Sequence, residues 1–448
     1  MKFRKYIPAQ LALVFPLCLV PLCSVLAGEA AKKINAKDFQ DENSRTAGIQ
    51  EAVDALPPDG GIVYLPAGTY EITRAVHLRS GVYVRGDGDH TVIARKENCL
   101  MTPLAKPSMA GEKSVKVKDA AGFEVGGEVC IRSDKSFGWY STHTPITAIE
   151  GNTIHFEDTL THDHLPEENA SAFNLFPAFY AIDAQDVRIE DLMIDGRITD
   201  ADRKMLGPTN DFTLSAVHFR RVCDCLVSRV HVKDYPADGI SIQTGDNATV
   251  SQCLSERNLG HGFHPGTGIT SGAWIDNVGR FNGWDGLFFC HRVRHSTMRG
   301  NRFHDNGWNG IGGLGQGGTG GDRYNVISGN FCYNNARCGI ECKVGGNNVI
   351  TNNVCENNSR NKPGRWPGIL VRDTHSSVIS GNRCLDFQQP DSARTQGYGI
   401  LVTGASRNNI ITGNLMTGNI KAGLGGDALN NNLVSDNFSS WAHKPAGI

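Results

Sequence analysis

Past residue 220 the chain repeats itself, and this repeat limits the possible folds more than any other feature. A glycine followed by an apolar residue recurs as DGI at Gly239, HGF at Gly262, DGL at Gly286, NGI at Gly310, CGI at Gly339, PGI at Gly368, YGI at Gly399 and AGL at Gly423. Successive glycines lie 23, 24, 24, 29, 29, 31 and 24 residues apart. A period of this size, with insertions, indicates a solenoid whose repeats bury their apolar faces against one another. A second register marks the same point of each turn with Asn277, Asn301, Asn330, Asn353, Asn382, Asn414 and Asn437. Stacked asparagines can bond in ladders and tolerate the left-handed backbone of a tight turn. Short alternating strands such as NVISGN and GILVR, with no helical pattern between them, predict an all-β parallel β-helix. The spacing of leucine-rich repeats is absent.

The N-terminal half fits the same architecture. Lys2, Arg4 and Lys5, the apolar run Leu11–Leu26 and the small Ala27 read as a secretory signal over 1–27, too short for a membrane span. The mature chain is therefore expected outside the cytoplasm, secreted or periplasmic. Residues 28–106 hold a cap and the first rungs, with AGIQEAVDALPPDGG (47–61) as an amphipathic helix over the open end of the stack. The segment 60–87 resembles the start of right-handed β-helix proteins of the pectate-lyase superfamily. Residues 107–177 break the repeat and read as an inserted small β module, and rungs resume over 178–448.

Charge and cysteines exclude several classes. A net charge of -2 without basic blocks argues against nucleic acid as a partner. Of 13 cysteines, Cys18 and Cys23 fall in the signal, leaving an odd number with no zinc-ligand spacing. They read as small buried hydrophobes, with Cys332, Cys355 and Cys384 stacked inside, each two residues after its asparagine.

Strand alternation sorts the side chains. The residue after each repeat glycine points inward, so those just before it and two and four after it form outward columns, rungs being about 4.8 Å apart. One column reads Asp238, His261, Asp285, Asn309, and the next Ser241, His264, Phe288, Gly312, Glu341. His261 is expected between two carboxylates, which would favour its imidazolium. Asp238, His261, His264 and Asp285 thus converge over three rungs, as a catalytic centre or as a structural polar ladder. Arg292 after the histidine rung, and Lys343 and Arg372 in the column four past the glycine, would suit an acidic polymer. Trp284 and Trp308, two residues before their glycines, and Trp366 further on, read equally as sugar-stacking platforms or as packing under a turn.

The stretch HGFHPGTG, followed one rung later by NGWDGLFF, resembles the mannuronan C5-epimerases, where YGFDPH precedes a rung containing DGF. In that family the Tyr, Asp and His of the first motif serve proton transfer or substrate binding. The matching positions here are His261, His264 and Gly266, with Pro265 and Asp285 retained. The resemblance therefore carries the location of a site and not its mechanism. ADGIS around Asp238 and GHG at 260–262 resemble fragments of polygalacturonase motifs, but the adjacent aspartate pair of those hydrolases is missing. The arginine context and calcium carboxylates of metal-dependent pectate lyases have no counterpart.

The expected activity is that of an exported polysaccharide lyase on a uronate-containing acidic polysaccharide, removing the C5 proton and eliminating. His264 would be the base, His261 the acid or orienter, Asp238 and Asp285 would tune His261, and Arg292, Lys343, Arg372, Trp284, Trp308 and Asn309 would contact substrate. No cofactor motif is evident; calcium is compatible with an acidic substrate, but no motif supports it. The alternatives are a C5-epimerase or glycoside hydrolase on the same substrates, or a non-catalytic glycan-binding β-helix.

Overall fold

A computed structural model describes residues 32–96, 98–209, 211–315 and 321–439. The segment read as a secretory signal, 1–27, lies outside the described residues. Two long sheets of parallel strands, of 22 and 12 members, carry the repeat. The 12-stranded sheet holds one strand per rung, including Val217–Cys223, Ile240–Asp246, Phe263–Pro265, Leu287–Phe288, Ile311–Leu314, Ile340–Lys343 and Ile369–Arg372. Its register pairs Ile240 with Phe263, Phe263 with Leu287, Leu287 with Ile311, and Ile311 with Ile340. These inward residues are fully buried in one continuous apolar core, as strand alternation requires.

The asparagine register becomes a hydrogen-bonded column. Asn301 Nδ2 donates to Asn330 Oδ1 at 2.9 Å, Asn330 to Asn353 at 2.9 Å, Asn353 to Asn382 at 3.0 Å and Asn382 to Asn414 at 3.0 Å. Each of those oxygens also accepts the backbone N–H of the preceding asparagine in the column. The left-handed conformation expected of these asparagines belongs instead to the residue before each: Gly300, Gly329, Asn352, Gly381 and Gly413. Gly and Asn tolerate it at least cost. The sequence reading passed over a second column, which links Asn258, Asn282, Asn306, Asn335, Asn358, Gln396 and Asn419. Cys332, Cys355 and Cys384 pair rung to rung inside the core as free thiols.

Two features outside the repeat matter for the site. The helix is shorter than expected, Ile49–Asp54, because Pro57 and Pro58 disfavour helix before them and lack N–H donors. It buries Ile49, Ala52 and Val53 against the first rungs. Between Met101 and Phe173 a six-stranded antiparallel sheet closes around its own core of Val115, Val129, Ile131, Ile146, Ile154 and Phe156. Among the described residues no helix is long and apolar enough to cross a membrane.

Candidate active site

The column before the repeat glycines has a structural task first. Asp238 Oδ1 accepts the backbone N–H of His261 at 2.7 Å, and His261 Nδ1 accepts that of Asp285 at 3.2 Å. Asp285 Oδ1 accepts the N–H of Asn309 at 2.8 Å, and Asn309 Oδ1 that of Cys338 at 3.0 Å. Each side chain thus spends one atom on the next rung and keeps a second for other work. The neighbouring glycines make room for it. A Cβ at Gly260 would stand 1.9 Å from Asp238 Oδ1, and one at Gly266 would stand 1.8 Å from Gln243 Oε1. A histidine at the position where the epimerase motif has one would have to displace the buried Gln243 side chain.

The spare atoms define two histidines in opposite proton states. His264 Nδ1 donates to Asp238 Oδ2 at 2.7 Å, so its neutral form carries a bare Nε2. His261 Nδ1 accepts from Asp285, so its neutral form carries the proton on Nε2; Asp285 Oδ2 lies 3.3 Å from the same nitrogen. Neither Nε2 has a hydrogen-bond partner among the described residues. The ring centroids are 5.3 Å apart, and the His261 ring stacks on Phe288 at 4.3 Å. Burial opposes charge on His264, but the hydrogen bond to Asp238 and the neighbouring Cys290 outweigh it and push its pKa up to about 9.

These residues are not exposed, contrary to the outward columns read from the sequence. Asp238, His261, His264 and Asp285 are 0 %, 1 %, 2 % and 2 % exposed. They do point away from the core, but neighbouring rings cover the imidazoles: Phe212 lies edge-on to His264 at 5.4 Å, and Phe288 stacks on His261 at 4.3 Å. Phe212 opens the short turn Phe212–Leu214 that follows helix Asp200–Leu206. The antiparallel sheet braces that turn: Arg132 pairs with the buried Asp211 at 3.2 Å, and Trp139 packs on Phe212 at 4.7 Å. The pairing expected for His261 also shifts, since the imidazole held by Asp238 is that of His264.

A cavity of about 180 Å³ opens beside the pair, lined by His261, Asp285, Phe288, Trp284 and Trp308 on one side and Arg337, Glu341 and Lys343 on the other. Trp284 also lines a larger cavity of about 870 Å³ that runs along the antiparallel sheet past Arg132 and Phe173. Trp284 is the lining residue common to the two spaces, which together are termed the groove. The rings of Trp284 and Trp308 lie 4.8 Å apart, and the Arg337 guanidinium lies over Trp308 and 5.1 Å from Trp366.

Lys343 lines the cavity but is paired with Glu341 at 3.0 Å, whose other contact is Asn309 at 3.3 Å. Arg372 is exposed one rung further and lines neither space. Arg292 is exposed on a turn with left-handed backbone and packs beside Gly321, away from the cavity, because the chain turns off the sheet before reaching it. The sequence reading missed Arg337, although its signal is visible: it stands two residues before its glycine, in the column Trp284, Trp308, Arg337, Trp366. Phe212 lies outside the repeat and has no such signal.

Donor atoms of Asp238, His261 and His264 lie within 4.8 Å of one another, close enough to share a cation. A metal would have to displace the Asp238–His264 hydrogen bond, so the donors fit each other better than they fit an ion.

His218, buried behind Phe212 and stacked on Tyr180, is held neutral mainly by burial, its pKa lowered to about 3; burial lowers His164 to about 4. Both bind a proton in the unfolded chain at a higher pH than in the folded one. Stability is therefore lost as pH falls below about 6.5, by about 1.4 kcal/mol per pH unit for each histidine. Urea titrations from pH 7 to 4.5 measure this slope, and His218→Gln is expected to remove one proton's share of it.

Residues 280–439 match the family described as right handed beta helix region, and 33–164 match rhamnogalacturonase A/epimerase, pectate lyase-like. The A-module of the Azotobacter vinelandii mannuronan C-5 epimerase AlgE4 superposes with a TM-score of 0.61 at 18% identity, over 91% of this chain and 95% of that one. This chain is a right-handed parallel β-helix. The A-module of AlgE6 from the same organism gives 0.56 at 16% identity, over 91% and 100%. Full-length tailspike protein 2 of an Escherichia coli O157:H7 bacteriophage gives 0.53 at 11%, over 88% of the β-helix and 43% of the tailspike. At these identities the likeness is one of fold. No curated protein sequence matches the β-helix.

Proposed function

We propose that this β-helix acts outside the cytoplasm on a uronate-containing polysaccharide, abstracting the proton at C5 and eliminating the glycosidic oxygen at C4. The observation that carries the reading is the pair of histidines with opposite proton states beside a groove lined by tryptophans and a cation. Neutral His264 takes the C5 proton on Nε2. Arg337, with no carboxylate partner among the described residues, faces the uronate carboxylate as negative charge develops on it. The C4–O bond breaks as the C4–C5 double bond forms; the Nε2–H of His261 hydrogen-bonds the departing oxygen, which takes its proton from solvent. Trp284, which lines both spaces, offers an indole face to a sugar ring. Phe212 and Phe288 stand between His264 and the groove, so substrate must displace one of them.

C5-epimerisation begins with the same abstraction and is the second reading. It is favoured by the near-complete mutual coverage with the A-modules of two mannuronan C-5 epimerases. Incubation with a panel of polyuronates in deuterated water separates the two. Elimination yields unsaturated, ultraviolet-absorbing ends; epimerisation places deuterium at C5 without cleavage; neither signal on any polyuronate ends the proposal. Arg337→Gln is expected to raise KM about tenfold or more, the worth of one charge-assisted hydrogen bond, and to spare binding of a neutral polysaccharide. An unchanged KM would remove Arg337 from this role.

A further inference from the structure

Arg220 repeats, on the other side of the histidine rung, the arrangement of Arg337. It is half-buried on strand Val217–Cys223, and its guanidinium lies 4.8 Å over the ring of Trp139. Among the described residues it makes no hydrogen bond and no ion pair. The adjacent acid, Asp183, is taken by Arg221 through two contacts of 2.5 Å. By contrast Arg132, Arg203 and Arg280, equally half-buried, pair with Asp211, Asp234 and Glu256. Drawing a guanidinium partly out of water without an acceptor is unfavourable, so such groups are ordinarily paired. The indole holds the guanidinium plane and leaves its N–H edge free, and that edge is the one that fits a carboxylate with two parallel hydrogen bonds.

The two unpaired arginines flank the site along one sheet. From the rung of Arg220 the register runs Val217, Ile240, Phe263, Leu287, Ile311 and Ile340, which follows Arg337 by three residues. The histidine rung is two steps from one arginine and three from the other, and five steps at the rung spacing span about 24 Å. Trp139 also packs on Phe212 at 4.7 Å, and Phe212 on His264 at 5.4 Å. A chain laid between the two arginines therefore crosses the ring that covers His264. We propose that Arg220, held on Trp139, is a second carboxylate subsite for the same polyuronate chain, and that it makes the protein prefer long chains to short ones. The inference rests on the uronate reading above. A chain long enough to reach both arginines binds as a bivalent ligand, whereas a short one meets a single cation.

The test is calorimetric titration of the full chain with a trisaccharide and a decasaccharide of the best polyuronate, which reads binding without turnover. Arg220→Gln is expected to weaken decasaccharide binding about tenfold, the worth of one charge-assisted contact, and to leave trisaccharide affinity in place. The side chain makes no hydrogen bond or ion pair, so the variant should fold, as a thermal melt would check. Arg220→Lys, which keeps the charge but not the two-pronged contact, should bind the decasaccharide with intermediate affinity. Equal decasaccharide affinity in wild type and Arg220→Gln would overturn the subsite and leave the function above standing. Wild type that binds neither oligosaccharide would overturn both.

Discussion

His264→Gln is expected to lower polyuronate turnover by about 10³-fold, within the range by which a positioned general base contributes to rate. Glutamine keeps an N–H that can face Asp238, so the variant should fold, as circular dichroism and a thermal melt would check. Alanine is a harsher test than the outward columns suggested. It strands the fully buried Asp238 carboxylate, and losing one partner of a buried pair costs about 3–5 kcal/mol. The pH profile gives the sign of the proton step. A base must be unprotonated, and Asp238 and Cys290 hold His264 as a cation up to about 9. Turnover should therefore climb about tenfold per pH unit and level off near pH 9. Asp238→Asn removes the main group that favours the cation, so the limb moves to lower pH. A flat profile between pH 6 and 9, with full activity in His264→Gln, would move the chemistry elsewhere along the groove.

Asn353→Ala is expected to destabilise the β-helix by about 4 kcal/mol without touching the site. Asn353 Oδ1 accepts both the backbone N–H and the Nδ2 of Asn330, and its own Nδ2 donates to Ile327 O and to Asn382 Oδ1. Alanine leaves two buried donors on Asn330 unsatisfied, at about 1–3 kcal/mol each, and two acceptors short of a donor. Because stability in a solenoid is a sum of nearest-neighbour terms, the loss falls on adjacent rungs. Urea unfolding followed by hydrogen exchange should show protection lost first around residues 327–382. The control is the exposed Asn361→Ala, expected within about 0.5 kcal/mol of wild type.

The first-named residues of the site were legible because a solenoid converts sequence into space by a fixed rule. Asp238, His261, Asp285 and Asn309 share a column through spacings of 23 and 24 residues alone, and the structure places them on successive rungs. Arg337 was equally legible in the tryptophan column and was passed over because cations were sought after the glycine, where Arg292 and Arg372 sit away from the groove. The middle residues of the asparagine triplets, Asp276, Gly300, Gly329, Asn352, Gly381, Gly413 and Asp436, are all types that accept a left-handed turn, and all adopt one.

By itself the sequence determined the rung, its inward and outward faces, and the order of the columns. Those follow from strand alternation and backbone pairing between neighbours, which are local and periodic. Only the tertiary structure decided that the outward histidines are buried and which hydrogen bond the Nδ1 of each one makes. The cover over His264 is Phe212, held by Arg132–Asp211 and Trp139, contacts between segments distant in the chain that no period encodes. The proton states follow from angles at single atoms, Asp238 Oδ2 on one ring and the Asp285 N–H on the other, and spacing along a chain does not specify angles.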